Sequence, residues 1–413
     1  MVQSKKNIPN NLFSIACIYY IADMLLPVMQ FLSNVYIDIF MVMVIIFSIF
    51  SKNLNKTIKF SSPFLFVILF YIVGGLQKAD SFRVMILSFY NALYFVLPIL
   101  LSYYLLSNNY RKTIRILLIE SIFCIVITAI TSIFGLMEDP FAARELATGM
   151  AGDPRLMVYY AKNIAGFSFT YMIPIIIPTL FSIYKEKKIK LFTLISIIAV
   201  FIYFVQLTQY TIALISVFIA ISSLFFARNY SPKKIIIIGL IIILVFIFLK
   251  PLISNLFFYI AANNSSMDIS IRFTALAEKL IGGESNSEAY LLREAAYNTS
   301  LNSFISSPIF GSMLSSSYKI GGHSFILDMI ASFGLIGIAA LFLMYRQINR
   351  FLYKPFKSNR YYGFMMWSLL LSIFLSILNT SANIFAIGMF VSMSAYYLQN
   401  KVYLAKSKEG ELI

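Results

Sequence analysis

The apolar residues of this chain run in long, nearly unbroken stretches that short polar segments separate. An α-helix needs about 20 apolar residues to cross the hydrocarbon core of a bilayer. Several stretches approach that length, for example residues 114–136. The alternating pattern of about ten residues that is typical of membrane β-barrels is absent from the sequence. The pattern therefore predicts an all-α, polytopic membrane protein.

We predict about twelve transmembrane helices, of which the second, third and seventh are short. The predicted spans cover residues 12–31, 35–50, 63–77, 84–106, 114–136, 164–184, 191–207, 209–227, 235–257, 323–345, 361–378 and 383–399. We interpret the first as a retained helix and not as a cleaved signal, because no convincing small-residue cleavage site follows it.

The distribution of basic residues sets the predicted orientation. With the N-terminus in the cytoplasm, the segments on the inner side hold 23 of the 33 Lys and Arg residues. Cytoplasmic loops of membrane proteins carry such an excess of positive charge. The charge pattern therefore predicts that both termini are cytoplasmic.

Two segments on the predicted outer side are too long to be simple turns, residues 137–163 and 258–322. The second contains helical patterns over 270–282 and from Ser285–Glu288, a capping box, to Pro308. We expect one membrane domain over 1–413, with a helical extracytoplasmic loop subdomain at 258–322 between spans nine and ten.

Composition agrees with this interpretation. Hydrophobic residues make up 60% of the chain, charged residues 12%, and the mean hydropathy is +0.83. A net charge of +16 could indicate nucleic-acid binding, but the basic residues lie in short loops between spans, so we predict no nucleic-acid partner. Cys17 and Cys124 both fall in apolar spans and are interpreted as buried hydrophobic residues.

His323 is the single histidine, and it lies in the segment GGHSFILDMIASFGLIG at the outer end of span ten. Imidazole can transfer protons near neutral pH. Gly321 and Gly322 precede it and permit a close backbone approach to a ligand. Asp328 follows inside the span, where ionisable groups are usually paired or functional. The alternative is that His323 is only a polar residue at the membrane border.

Four arginines belong to the predicted outer side, namely Arg144, Arg155, Arg272 and Arg293. Guanidinium groups bind phosphate oxygens in a bidentate manner. Arg293 is the best candidate for such a role, since its helix is mostly apolar and aromatic, and Arg144 is the weakest. Solvated surface charge or contact with lipid headgroups is the alternative for each.

Other chemistries find little support in the sequence. One histidine cannot build a His-rich metal site, and neither a P-loop nor a GxGxxG motif is present. Serines lie near His323, but the GxSxG pattern of serine hydrolases is missing. We therefore expect a reaction that needs no metal and no cofactor.

The segment 291–337 resembles the signature region of bacterial Wzy-type polymerases of O-antigen and capsular polysaccharide. The resemblance is carried by Arg293, the turn from Pro308 to Gly311, His323, and Gly334 to Gly337. The GGHSxxxD form looks more like polymerases than like O-antigen ligases of the same superfamily. Relatives often carry an arginine between spans seven and eight, where this chain has Thr211.

The resemblance implies a glycosyltransferase that joins undecaprenyl-pyrophosphate-linked repeat units on the outer face of the cytoplasmic membrane. His323 would be the base or orienting residue and Arg293 would act on the pyrophosphate. We expect further substrate contacts from five residues: Arg155, Arg272, Tyr297, Ser324 and Asp328. Membrane lipids and a chain-length regulator protein are the other expected partners.

Two alternatives remain open at the level of sequence. An O-antigen ligase would use the same donor but would transfer the glycan to a lipid A core. A lipid-linked sugar flippase or another transporter would carry polar residues at corresponding midplane positions of two halves. The candidates Asp23, Glu120 and Asp328 do not form such a pairing.

Overall fold

The architecture is helical throughout the part of the chain that the computed structural model describes. That part comprises residues 11–52, 54–76, 82–148, 153–226, 250–263, 267–281, 288–313, 319–356, 362–379 and 383–398, and it contains no strand. The prediction of an all-α protein is confirmed for these residues.

The helices are numbered α1 to α18 in chain order. They are α1 Asn11–Leu25, α2 Pro27–Leu32, α3 Val35–Lys52, α4 Leu54–Ser61, α5 Leu65–Leu76, α6 Phe82–Ser107, α7 Arg111–Glu138, α8 Ala142–Thr148, α9 Pro154–Ala161, α10 Phe167–Lys185, α11 Leu191–Leu207, α12 Thr211–Phe226, α13 250–262, α14 Met267–Leu280, α15 Glu288–Ser306, α16 Phe325–Gln347, α17 Tyr362–Leu378 and α18 Val391–Leu398. A π-helix, Ile348–Tyr353, and a 3-10 turn continue α16, and another π-helix, Phe385–Phe390, precedes α18.

Three helical segments among the described residues are long and apolar enough to cross a membrane: Arg111–Glu138, Phe167–Lys185 and Phe325–Phe356. The pair Val35–Ser51 and Asn55–Phe70 adds a fourth if its 117° bend lies within one span. Six further apolar helices are shorter, with 10–17 residues each. The chain is therefore a helical membrane protein.

Each predicted span that the structure describes overlaps a helix, although the bounds differ by a few residues, as at span ten, where α16 begins at Phe325. The ninth, 235–257, lies mostly outside the described residues, and so does Ser285 of the predicted capping box. Helices α14 and α15 match the two helical patterns that the sequence predicts before Pro308. That all twelve segments cross the bilayer stays a prediction.

The first predicted span is broken near its C-terminal end. Helix α1 stops at Leu25, and Leu26 is extended with φ −109° and ψ 103°. Proline disfavours a helical conformation in the residue before it, and it is well tolerated as the first residue of a new helix. Pro27 therefore ends α1 and begins α2, so that Asp23 lies in the last turn before a break.

The centre of the described bundle is α10, which packs against α12 and α17. Nearly every side chain from Thr170 to Ile183 in this helix is buried. On one side of it, α1 packs against α3 and α7, and elsewhere α5 packs against α6 and α15 against α16. Some of these contacts join helices that are far apart in the sequence, such as α10 and α17 or α1 and α7.

Helix α16 is interrupted at Gly334, whose φ of 61° and ψ of −141° are not helical. The turn from Pro308 to Gly311 packs into this interruption. The Leu335 N–H donates to the Pro308 carbonyl at 2.8 Å, and the Ser312 N–H donates to the Ala331 carbonyl at 3.0 Å. Backbone groups freed by the break are thus paired, as a membrane environment requires.

Replacing Gly334 by alanine should destabilise the protein. A Cβ there would lie 2.5 Å from the Pro308 carbonyl oxygen, and the backbone conformation is one that alanine avoids. We expect a loss of at least about 2 kcal/mol, from strain and overpacking together. The midpoint of thermal unfolding in detergent, followed by the fluorescence of the single tryptophan, Trp367, measures it.

Gly322→Ala is the matched control. Gly322 also has a positive φ, 71°, but a Cβ there would meet nothing within 4 Å. It should therefore cost only the conformational strain, about 1 kcal/mol. Equal midpoints for the two variants would contradict the close packing of the turn against the break.

Candidate functional site

A cavity of about 670 Å³ opens among the ends of several helices. Its walls come from α1, α2, α8, α9, the start of α10, the residue before α12, α15, the loop before α16 and the end of α17. The polar side chains that matter most to its chemistry are Asp23, Arg144, Tyr210, Arg293, His323 and Asn379. The cavity thus brings together Arg293 and His323, the two residues that the sequence predicts to be catalytic.

The loop that carries His323 is held by a buried carboxylate. Asp328 is only 3% exposed and accepts a hydrogen bond from the Ser300 hydroxyl at 2.6 Å. The same hydroxyl accepts one from the Gly321 N–H at 2.8 Å, and the Gly322 N–H donates to Asp328 at 3.4 Å. These bonds link α15, which carries Arg293, to the start of α16.

Gly321 is also the point at which this loop touches α15. A Cβ at this position would overlap the backbone of Ala296, so only glycine permits the approach. From sequence, the two glycines are expected to permit a close approach to a ligand. For Gly321 the close approach is to a helix of the same chain.

Helix α16 begins with a side-chain cap. Ser324 is buried, and its hydroxyl accepts a hydrogen bond from the Leu327 N–H at 3.1 Å. The next residue, Phe325, donates its N–H to the carbonyl of Asn379 at 2.8 Å. Tyr297 donates its hydroxyl to the carbonyl of Leu378 at 3.0 Å. The end of α17 is thereby fixed against both α15 and α16.

The substrate contacts predicted for Ser324, Tyr297 and Asp328 therefore stay predictions. What the structure describes is a supporting role, because each of these side chains bonds to a neighbouring part of the chain. They position the backbone on either side of His323.

The electrostatic surroundings favour a neutral imidazole. The pKa of His323 is lowered from its ordinary value, first by partial removal from water and then by the positive charge of Arg293. The carboxylate of Asp328 opposes this effect to a smaller extent. A neutral imidazole at physiological pH can accept a proton, which is the state a general base needs.

Arg144, the arginine that the sequence favoured least, lines the cavity. The backbone next to Arg144 is fixed by Tyr210. The Tyr210 hydroxyl donates a hydrogen bond to the carbonyl of Ala143, the residue before Arg144, at 2.9 Å. Tyr210 in turn packs edge-on against Phe167. No local motif marks Arg144, so only the tertiary structure reveals its approach to His323 and Arg293.

Arg155 is not among the residues that line the cavity. Its guanidinium is exposed and pairs with Asp153 at 3.1 Å and Glu145 at 3.5 Å. Asp153 caps the N-terminus of α9 by accepting a hydrogen bond from the backbone N–H of Arg155 at 2.9 Å. Arg272 lies in α14, and its side chain is outside the described residues. For both arginines a substrate contact stays a prediction.

Asp23 is not predicted from sequence to belong to this site. Its carboxyl group enters only the transporter alternative. The signal was present, because an ionisable residue in an apolar span is a functional candidate by default. Its place beside His323 and the arginines depends on how α1 packs.

Ser300→Ala should weaken the support of the His323 loop. The change removes a hydrogen bond to a buried carboxylate and another to Gly321, which should cost about 1–3 kcal/mol. The thermal midpoint in detergent and the hydrogen exchange of residues 319–324 measure the effect.

Thr299→Ala is the control on the same helix. The Thr299 hydroxyl bonds only back to Ala295, one turn earlier, so its loss should leave the midpoint and the exchange nearly unchanged. If both variants exchanged equally fast in the loop, the anchoring role of Ser300 would be wrong.

No family model matches this sequence, and no curated protein matches it significantly. The function must therefore be inferred from the cavity and from the resemblance that its residues carry.

Proposed function

We propose that this protein is a Wzy-type polysaccharide polymerase. It joins glycan repeat units that are linked to undecaprenol through pyrophosphate. One observation carries the proposal: Arg293 of α15 and His323 of the loop before α16 line a single cavity together with Arg144 in a membrane protein. This is the set of groups that glycosyl transfer from a pyrophosphate-linked donor requires.

The arginines act on the donor. When the bond between the anomeric carbon and the pyrophosphate breaks, the electron pair leaves with the pyrophosphate, which gains negative charge. Guanidinium groups placed beforehand stabilise that charge without reorganisation. Arg144 lies beside Tyr210, the neighbour of Thr211, where related polymerases often carry an arginine. It can supply the phosphate contact that the sequence lacks at Thr211.

His323 acts on the acceptor. A sugar hydroxyl of the next repeat unit attacks the anomeric carbon and loses its proton, which the neutral imidazole accepts. The lowered pKa of His323 supports this role, since it keeps the ring unprotonated at neutral pH. Such proton transfer contributes about 10²–10⁴-fold to a rate. None of these steps calls for a metal or a cofactor.

In the proposed topology, the reaction takes place at the outer face of the cytoplasmic membrane. Twelve spans with both termini in the cytoplasm put His323 on the periplasmic or external side of the bacterial cytoplasmic membrane. The lipid-linked donor lies in the outer leaflet, where no nucleotide is available. A chain-length regulator protein is the expected partner in this setting.

The pH dependence of transfer tests the role of His323. The rate should fall as the pH falls through the pKa of His323, because the protonated ring cannot accept a proton. The positive charge of Arg293 lowers that pKa. Arg293→Met should therefore raise the pKa and move the acid limb of kcat/KM to higher pH, besides lowering the rate.

The assay uses purified protein and lipid-linked glycan, with Arg155→Met as control. Arg155 is paired with Asp153 and Glu145 and does not line the cavity, so its loss should leave the acid limb in place. An acid limb that stays unchanged in Arg293→Met would contradict the role of His323 as the base.

The surface glycan of a strain that carries His323→Ala tests the function itself. At equal protein abundance, the ladder of chain lengths on a gel should collapse to a single repeat unit, because a general base worth about 10²–10⁴-fold is lost. An unchanged ladder would refute the proposed mechanism. Absence of attached glycan with accumulation of long lipid-linked chains would identify a ligase instead.

A further inference from the structure

Among the described residues that line the cavity there is one carboxylate, and the proposed mechanism has not used it. Asp23 lines the same cavity as Arg144, Arg293 and His323. It lies in the last turn of α1, two residues before Leu25, where Pro27 ends the helix. Leu25 and Pro27, on either side of the break, also line the cavity.

The carboxyl group of Asp23 is held in place from one side only. The Tyr94 hydroxyl donates a hydrogen bond to its Oδ2 at 2.8 Å. Tyr94 is itself fixed against α1, because the Tyr20 hydroxyl donates to its carbonyl at 2.8 Å and the two rings pack edge to face. No hydrogen bond within the described chain reaches Oδ1 of Asp23. One oxygen is therefore anchored and the other remains available.

The charge of Asp23 decides which substrate it suits. A carboxylate repels phosphate, so Asp23 cannot contribute to binding the pyrophosphate that the arginines would hold. Carboxylates accept hydrogen bonds from hydroxyl groups, and such charge-assisted bonds are short and strong. Tyr160 and Phe167 line the same cavity and offer aromatic surface on which the apolar face of a sugar ring can pack.

We propose that Asp23 binds the acceptor sugar and accepts a hydrogen bond from one of its hydroxyl groups. This inference rests on the proposed function and adds an acceptor subsite to it. The arginines hold the donor, His323 takes the proton of the attacking hydroxyl, and Asp23 orients the ring that carries it. The cavity then has separate positions for the donor and the acceptor.

Kinetics with separately varied substrates test the proposal. The donor is the lipid-linked glycan extracted from the bacterium that carries this gene, after the gene has been deleted. The acceptor is the same glycan released from its lipid and labelled with a fluorophore. In Asp23→Asn the KM for the acceptor should rise about ten-fold or more, as expected when a hydrogen bond to a charged group is lost. The KM for the donor should stay unchanged.

Asp38→Asn is the matched control. Asp38 is a buried carboxylate on the neighbouring helix α3, it accepts a hydrogen bond from Tyr19 at 2.6 Å, and it does not line the cavity. The same change of charge there should alter neither KM. Tyr94→Phe, which keeps the carboxylate and removes its anchor, should raise the acceptor KM by a smaller factor.

The outcomes separate this inference from the proposed function. If Asp23→Asn leaves the acceptor KM unchanged, or raises the donor KM equally, the acceptor subsite is wrong while the polymerase assignment stands. If the wild-type protein forms no labelled product, the proposed function fails and the inference fails with it. Because Asn can still accept the bond from Tyr94, an altered fold is not expected, and the thermal midpoint checks it.

Discussion

The hydrogen bond between the buried carboxylate of Asp328 and the hydroxyl of Ser300 holds the site together. It joins α15 to α16, and the Gly321 N–H extends it to the loop that carries His323. A buried carboxylate without partners is costly, so this small network is stable only when the two helices and the loop are assembled. Arg293 and His323 can share one cavity because this network fixes the elements from which they project.

The second constraint is that backbone groups in an apolar environment must be paired within the protein. Breaks in membrane helices are therefore tolerated only where other parts of the chain satisfy them. At Gly334 the turn from Pro308 to Gly311 does so. The break after Leu25 lies beside the cavity and leaves Asp23 at its wall. Interrupted helices thus place polar side chains at the edge of an apolar bundle.

Charge divides the cavity into regions of different chemistry. Arg144 and Arg293 provide positive charge. Partial removal from water, and then the charge of Arg293, lower the pKa of His323 and favour its neutral form. Asp23 provides negative charge that is anchored by Tyr94 on a different helix. A reaction between a pyrophosphate-linked donor and a hydroxyl acceptor needs both kinds of group. In the proposed mechanism, each substrate is therefore recognised by the charge that suits it.

The sequence by itself determined the helical membrane class and the positions of most of the long helices that the structure describes, and it predicted that Arg293 and His323 belong to one site. Long apolar stretches and glycine or proline interruptions are local properties, which is why they can be recognised without tertiary contacts. Only the tertiary structure decided that Arg144 and Asp23 line the cavity while Arg155 does not. Those side chains come from helices that are distant in sequence, and their meeting depends on how α1, α8 and α10 pack. The tertiary structure also shows that Asp328, Ser324 and Tyr297 form hydrogen bonds that support the loop. The sequence cannot identify such partners, because packing and not proximity in the chain decides which polar groups meet.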